Sequence, residues 1–237
     1  MHPTAFLNAK DFFDTYASRL GGGTIVEIGS QDVNGSIRGA APKEMKYIGV
    51  DFVRGKGVDV VITDPYSLPF DDASVEAVVS SSCFEHSEMF WVLFLEVLRI
   101  VKPNGLVYIN VPSNGEFHRF PVDCWRFYPD SGVGLVSWAR MNGYQTALLE
   151  SYVSGQRYGI WNDFVAVFVK SEDCVGHYPD RIHPGRTDVF NARAYGEDAV
   201  RNFRSVPEDL SGVSGRLKRW WWMRQEGKVL RRLLGDT

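Results

Sequence analysis

The chain is poor in cysteine: Cys83, Cys124 and Cys174 are widely spaced and form no CxxC pair. An odd, dispersed set excludes a disulfide framework and a compact structural zinc site, and a reducing compartment is expected. An excess of one charge is also lacking. Against 29 Asp and Glu stand 26 Lys and Arg, a formal net charge of −3, so no global field exists to grip a polyanion and a whole-surface nucleic-acid binder is excluded. Long apolar runs are missing too. The longest, Met89 to Leu95, falls far short of the ~20 residues that a membrane-spanning helix needs. The first residues meet Asp11 and Asp14 before any long apolar stretch and lack the basic start of a secretory signal, so a cytoplasmic location is expected. No internal repeat or low-complexity segment is present.

What is present is enough apolar material for a real core: 44% of 237 residues are hydrophobic, which allows one domain or two. Phe6, Phe12, Phe13, Tyr16 and Leu20 recur at near-helical spacing and predict a leading helix, which Gly21-Gly22-Gly23 stops. Short apolar runs bounded by polar residues then predict strands at 24–28, 47–50, 58–62, 75–79 and 106–111. Ser87 is a candidate N-cap for a helix over 89–101, which the turn Lys102-Pro103-Asn104-Gly105 ends. A helix over 132–141 and two last strands, 146–153 and 164–170, complete the pattern. Strands alternating with helices predict an α/β fold: a Rossmann-like, doubly wound, seven-stranded sheet with helices on both faces. It should be mostly parallel with a reversed last strand, since the loop between the final two runs is too short for a helical crossover. Residues 1–170 are read as one domain and 171–237, broken by Pro179, Pro184 and Pro207, as a C-terminal extension.

In such a sheet, ligands bind beyond the carboxyl ends of the strands. The polar residues there begin with Glu27-Ile28-Gly29-Ser30-Gln31, a turn at which a ligand can approach the main chain. Asp51, closing the second strand before Phe52, is placed to accept hydrogen bonds from a ribose diol, and Asp64 with Pro65 follows the third. Gln31 stands where a dinucleotide fingerprint has its second glycine, so a ligand without a pyrophosphate fits better.

The segments IVEIGS, YIGVD, ITDPYSLPFDDASVEAVVSSSCFEH and FLEVLRIVKPNGLVYINVP, in this order over roughly residues 22–170, resemble the class I S-adenosylmethionine-dependent methyltransferases. QDVNGS and PVDCWRFYPD look like bacterial members associated with sugars and surface polysaccharides. The resemblance implies S-adenosyl-L-methionine as cofactor. It implies that Glu27, Gly29 and Ser30 bound its methionine end, that Asp51 holds the ribose hydroxyls, that Asp64 and Pro65 contact adenine, and that Ser81 and Ser82 line the pocket, with Gln31 and Phe52 also among the cofactor-binding residues. Gln31 departs from the family's usual glycine.

A hydroxyl acceptor is a poor nucleophile and needs help losing its proton. His118 and His86 are the candidate bases, with Asp123 to orient one of them or to act itself. Arg119, Trp125, Arg126, Tyr128 and Trp161 are candidate acceptor contacts through stacking or anion binding. No compact carboxylate cluster is visible in the sequence, so metal independence is expected. The basic, aromatic stretch from Arg216 to Arg232 reads as an interaction helix for this domain or another subunit, or as a peripheral membrane contact. The reading is an O-methyltransferase acting on a sugar or glycan-linked hydroxyl. Its alternatives are a methyltransferase of a small natural-product or lipid-linked acceptor and a noncatalytic cofactor-binding partner subunit.

Overall fold

The computed structural model describes residues 3–157 and 160–205, together with residues 208, 217, 220 and 221. The predicted apolar runs become strands because their side chains alternate between two buried layers. They are β1 (Thr24–Ile28), β2 (Lys46–Asp51), β3 (Val60–Val61), β4 (Val75–Ser81), β5 (Val101–Pro112), β6 (Ala147–Ser154), β7 (Asp163–Val169) and β8 (Val189–Ala194). Among the described residues up to 205, three α-helices accompany them: α1 (Pro3–Tyr16), α2 (Phe90–Ile100) and α3 (Ser131–Met141). The sheet order is β3-β2-β1-β4-β5-β7-β6-β8. The first five strands run parallel, β7 is antiparallel to both β5 and β6, and β8 is antiparallel to β6. The α/β, doubly wound architecture with a reversed strand is therefore as the sequence predicts.

Val26 and Ile28 of β1 face a core with Leu93, Phe94, Val97 and Leu98 of α2 and Leu135 of α3. Ile25 points the other way, into a second core with Phe12, Phe13 and Tyr16 of α1 and with Tyr108 and Tyr152. α1 thus covers the face that the crossover from β1 to β2 leaves bare, for residues 29–45 hold only a 3₁₀ turn at Ile37–Ala40. The connection from β3 to β4 also lacks a helix. Arg99 of α2 holds it down by donating to the carbonyls of Leu68 and Phe70, at 3.0 and 2.9 Å, while Glu96 accepts from Leu68 N–H at 2.6 Å.

Three differences from the sequence reading have physical causes. The sheet has eight strands, because residues 189–194 pair with β6 and cover an edge that would otherwise offer unpaired backbone groups. Asn191, in the left-handed region at φ +50°, and the charged Arg193 hide that strand from an apolar-periodicity reading. Ser87 does not cap α2: Met89 occupies the cap position without a side-chain hydrogen bond, and Ser87 ends a 3₁₀ turn over Phe84–His86. Residues 102–105 bulge from β5, whose register jumps from Val101 opposite Val75 to Leu106 opposite Ala77.

Residues 171–203, assigned to an extension from the sequence, contribute β8 to the sheet, and the first compact unit runs from Met1 to Phe203. The buried Glu150 of β6 pins this stretch: its carboxylate accepts from Ile182 N–H (2.7 Å), His183 N–H (3.0 Å), His183 Nδ1 (2.9 Å) and the Tyr16 hydroxyl. In the second unit, Arg204–Thr237, Arg204 pairs with Glu208 at 3.1 Å, and Leu217, Trp220 and Trp221 are exposed. The rest of the basic Arg216–Arg232 segment lies outside the described residues. No helix among the described residues is long and apolar enough to cross a membrane.

Glu150→Ala leaves His183 and two backbone donors buried without an acceptor, and is expected to lower stability by about 3–5 kcal/mol. A shift of the urea midpoint under 1 kcal/mol would contradict that role for Glu150.

Candidate active site

The strand order reverses between β1 and β4, and the polar residues singled out in the sequence gather at the carboxyl edge there. Gly29 turns the chain out of β1 at φ +77°, and a Cβ at this position would stand 2.5 Å from Cβ of Cys83, just beyond β4. Only glycine permits this approach. The turn is braced from below. Asp32 accepts from Gly35 N–H at 2.7 Å and donates its own N–H to the Lys56 carbonyl at 2.8 Å. Gly49 in β2 leaves the space that the Gly57 carbonyl and the Ser30 side chain fill.

Asp51 ends β2 half-buried and facing the turn, where its carboxylate accepts from Gln31 N–H at 3.0 Å and Phe52 N–H at 2.7 Å. Gln31, the position at odds with the family pattern, thus supplies a backbone donor that any residue could give, and its side chain rests against Gly55. The Ser30 hydroxyl and Glu27 Oε2 are buried without hydrogen-bond partners. Burial pushes the Glu27 carboxyl up to about 7, against the opposing pull of Tyr47 and Arg38, and Asp51 and Asp32 add to the rise. Phe52 is exposed, and Asp64 is exposed with Oδ1 accepting from Tyr66 N–H at 2.8 Å, a local turn bond. Pro65 is half-buried. Ser81 is buried at the end of β4, and Ser82 follows it at φ +53°, donating its N–H to the Asn110 carbonyl.

A second group of residues meets on the loops that follow β4 and β5. The segment 122–125 lies over the turn at 84–87: the Glu85 carbonyl accepts from Cys124 and Trp125 N–H at 2.9 and 3.2 Å, and the Trp125 indole donates to the Ser87 carbonyl. This brings His118 to His86, ring centroids 5.0 Å apart and nearly perpendicular, with Trp161 5.1 Å from His118 on its other side. His86 Nδ1 bonds the Val122 carbonyl, and burial lowers its pKa, so its neutral ring keeps a lone pair on Nε2. His118 Nδ1 bonds the Glu116 carbonyl at 3.1 Å.

Asp123 is fully engaged. Arg126 grips it with two bonds of 2.6 and 2.8 Å, His118 N–H adds a third at 2.7 Å, and the guanidinium holds its carboxyl down to about 2. The same contacts commit Arg126 to the loop, where it also donates to the carbonyls of Glu116 and Trp125. Arg119 and Tyr128 are exposed, the latter at 66%.

Glu85 is the residue that the sequence reading passed over. It is fully buried, neither carboxylate oxygen has a hydrogen-bond partner, and burial pushes its pKa up to about 8. Its only signal was its place beside His86.

Residues 36–109 match a family model described as a methyltransferase domain. A protein of Mycobacterium tuberculosis named as an uncharacterized methyltransferase is 39% identical over 69 residues, 29% of this chain and 27% of the relative. One of Mycolicibacterium gilvum with the same name is 34% identical over 83 residues, 35% of this chain and 29% of the relative. The chain therefore spans under a third of these relatives' length. Among solved structures, Burkholderia thailandensis 1,6-didemethyltoxoflavin-N1-methyltransferase, holding that substrate and S-adenosylhomocysteine, has a similar fold with a TM-score of 0.56 and 13% identity. The likeness covers 71% of this chain and 79% of that one. Residues 36–109 are thus similar to a methyltransferase domain, and the doubly wound sheet is the fold shared with that structure.

Two substitutions probe this edge. Gly29→Ala adds both a clash with Cys83 and an unfavourable φ, a cost of about 1–3 kcal/mol, and is expected to lower the melting temperature; an unchanged value would contradict the close approach. Glu27 has the opposite sign from a salt-bridged acid. Its pKa is higher folded than unfolded, so stability is greatest below the ordinary carboxylate range and falls by roughly 3 kcal/mol as pH rises from about 4.5 to about 7. Urea midpoints at pH 5 and pH 8 should show this loss in the parent and not in Glu27→Gln; equal slopes would contradict it.

Proposed function

We propose that the chain is an S-adenosylmethionine-dependent O-methyltransferase whose acceptor presents a hydroxyl on a sugar or glycan-linked ring. The observation that carries the reading is the carboxyl edge of β1 and β2, where the Gly29 turn and the Ser30 hydroxyl buried without a partner lie within one turn of chain and the Asp51 carboxylate meets that turn at Gln31 N–H. These groups fit the cofactor. A carboxylate that accepts two backbone donors keeps lone pairs for a ribose diol, and a buried hydroxyl without a partner suits a polar ligand end.

On this reading Asp51 holds the ribose hydroxyls, with Phe52 as an apolar lip. Glu27, Gly29, Ser30 and the Gln31 backbone bound the methionine end. Asp64 and Pro65 border the base, while Ser81 and Ser82 form the floor. The cofactor supplies a methyl carbon already activated by its sulfonium. The protein then has mainly to align the acceptor, and such positioning supplies up to about 7–11 kcal/mol.

The acceptor's hydroxyl meets the imidazoles of His86 and His118, with Trp161 against His118 and Trp125 further along, against Phe90 and Trp91. Asp123 acts as a positioning residue for His118 rather than as a base, since the carboxyl that Arg126 holds near 2 has little affinity for a proton. Arg126 serves the loop, which leaves the exposed Arg119 and Tyr128 for acceptor contact. A second reading, a flat apolar acceptor of natural-product or lipid-linked type, is favoured by the exposure of Phe117 and Phe120 on the same loop, at 75% and 58%.

Calorimetric titration with S-adenosylhomocysteine tests the donor site. Asp51→Ala should weaken binding by about 10- to 100-fold, the value of one charge-assisted hydrogen bond or slightly less; unaltered affinity would overturn the assignment. Methyl release on sugar and aromatic hydroxyl panels then separates the acceptor readings, and tight donor binding without turnover on either would favour a noncatalytic subunit.

A further inference from the structure

Glu85, His86 and His118 each bring one ligand atom to within 4.8 Å of the other two, and His86 Nε2 stands 3.7 Å from Glu85 Oε1. Two neighbours in the chain and a third from beyond α2 and β5 are thereby gathered at one point. We propose that this trio is a binding site for a divalent transition-metal cation, with zinc the ion that its donor set fits.

Four features support the site. First, two imidazoles and one carboxylate form the set that holds zinc or iron(II) with positions left open, whereas magnesium and calcium prefer all-oxygen shells. Second, the Glu85 carboxylate is wholly buried and neither oxygen has a hydrogen-bond partner, although its backbone carbonyl takes two N–H groups. Buried carboxylates are paired or coordinate metals, and no cation of the described chain is bonded to this one. Arg126, the nearest basic group acting on it, is spent on Asp123 and on backbone carbonyls. Third, His86 gives Nδ1–H to the Val122 carbonyl and His118 bonds the Glu116 carbonyl through Nδ1. Metal-bound histidines are held in this way, with the second nitrogen on a carbonyl and Nε2 directed at the ion. Fourth, Asp123 and Arg126 fix the loop that delivers His118.

Ligand atoms about 2.0–2.2 Å from a shared ion stand about 3–3.5 Å apart. The present spread closes to that through His118, whose side chain is 39% exposed and so has room to turn. The sequence expectation of metal independence rested on the absence of a compact carboxylate cluster; the site arises instead from one buried glutamate and two histidines that only the fold brings together. Resting on the methyl-transfer reading, a cation here takes the activating role in place of the imidazoles that ligate it: it would bind the acceptor's hydroxyl and lower its pKa, so that the proton passes to solvent before the oxygen takes the methyl group.

The test uses the full chain stripped with chelator and titrated with CoCl₂, followed by visible absorption, then with ZnCl₂ as competitor. One equivalent of cobalt is expected, with ligand-field bands that zinc abolishes. His118→Ala, on the exposed loop, and Glu85→Gln, isosteric in the core, should each weaken cobalt binding at least 10-fold. No stoichiometric uptake, or uptake that both variants leave unchanged, overturns the site. The same samples are titrated with S-adenosylhomocysteine. Donor binding without cobalt uptake overturns the metal site and spares the methyltransferase reading. Cobalt uptake without donor binding supports the metal site and overturns that reading.

Discussion

The molecule depends on how closely two backbone turns approach where the strand order reverses. β1 and β4 are neighbours in the sheet, their chains leave in different directions, and Gly29 and Cys83 meet across the gap at a distance that admits no added Cβ. The polar groups nearest the Gly29 turn are placed by that contact or by the struts around it. Asp51 reaches the turn because it ends the neighbouring strand, and Asp32 with the Lys56 carbonyl keeps the turn from opening. A larger residue at position 29 would displace the backbone N–H of Gln31 from the carboxylate it now meets.

The acceptor side obeys a different constraint, the satisfaction of backbone groups in a long loop. Residues 113–130 have no regular structure, so their N–H and C=O groups need partners elsewhere. They find them in the turn after β4 and in the Asp123–Arg126 pair, and the consequence is that His118 is delivered beside His86, with Trp161 of the β6–β7 connection against His118. Phe127 anchors the loop in the core and polar bonds hold the rest, which leaves Phe117, Phe120 and Tyr128 outside. An aromatic rim over a polar cluster suits a ligand with both ring faces and hydroxyls.

Much of this was legible in the sequence, and the limits have physical causes. The buried parallel strands announce themselves as apolar runs ending in polar residues, so β1, β2, β4 and β7 fall close to where the runs lie. Gly29 and Asp51 follow, since they simply end those runs. The bare β1–β2 crossover was not legible, because a helix arriving from the N-terminus covers the face that a crossover helix usually would. β8 escaped notice because its place on the edge of the sheet is earned by backbone pairing, with Asn191 and Arg193 diluting its apolar pattern. Glu85 escaped for another reason: a charged residue gives no sign in sequence that it will be wholly buried. Arg126 looked available for a ligand, and only its bidentate grip on Asp123 shows otherwise.

The most direct measurement of the central claim is a crystal structure of the chain with S-adenosylhomocysteine. The account predicts the ribose hydroxyls at hydrogen-bond distance from Asp51 and the amino-acid end of the ligand against Gly29 and Ser30. A ligand lodged elsewhere on the sheet, with the space between β1 and β4 closed by protein, would contradict it.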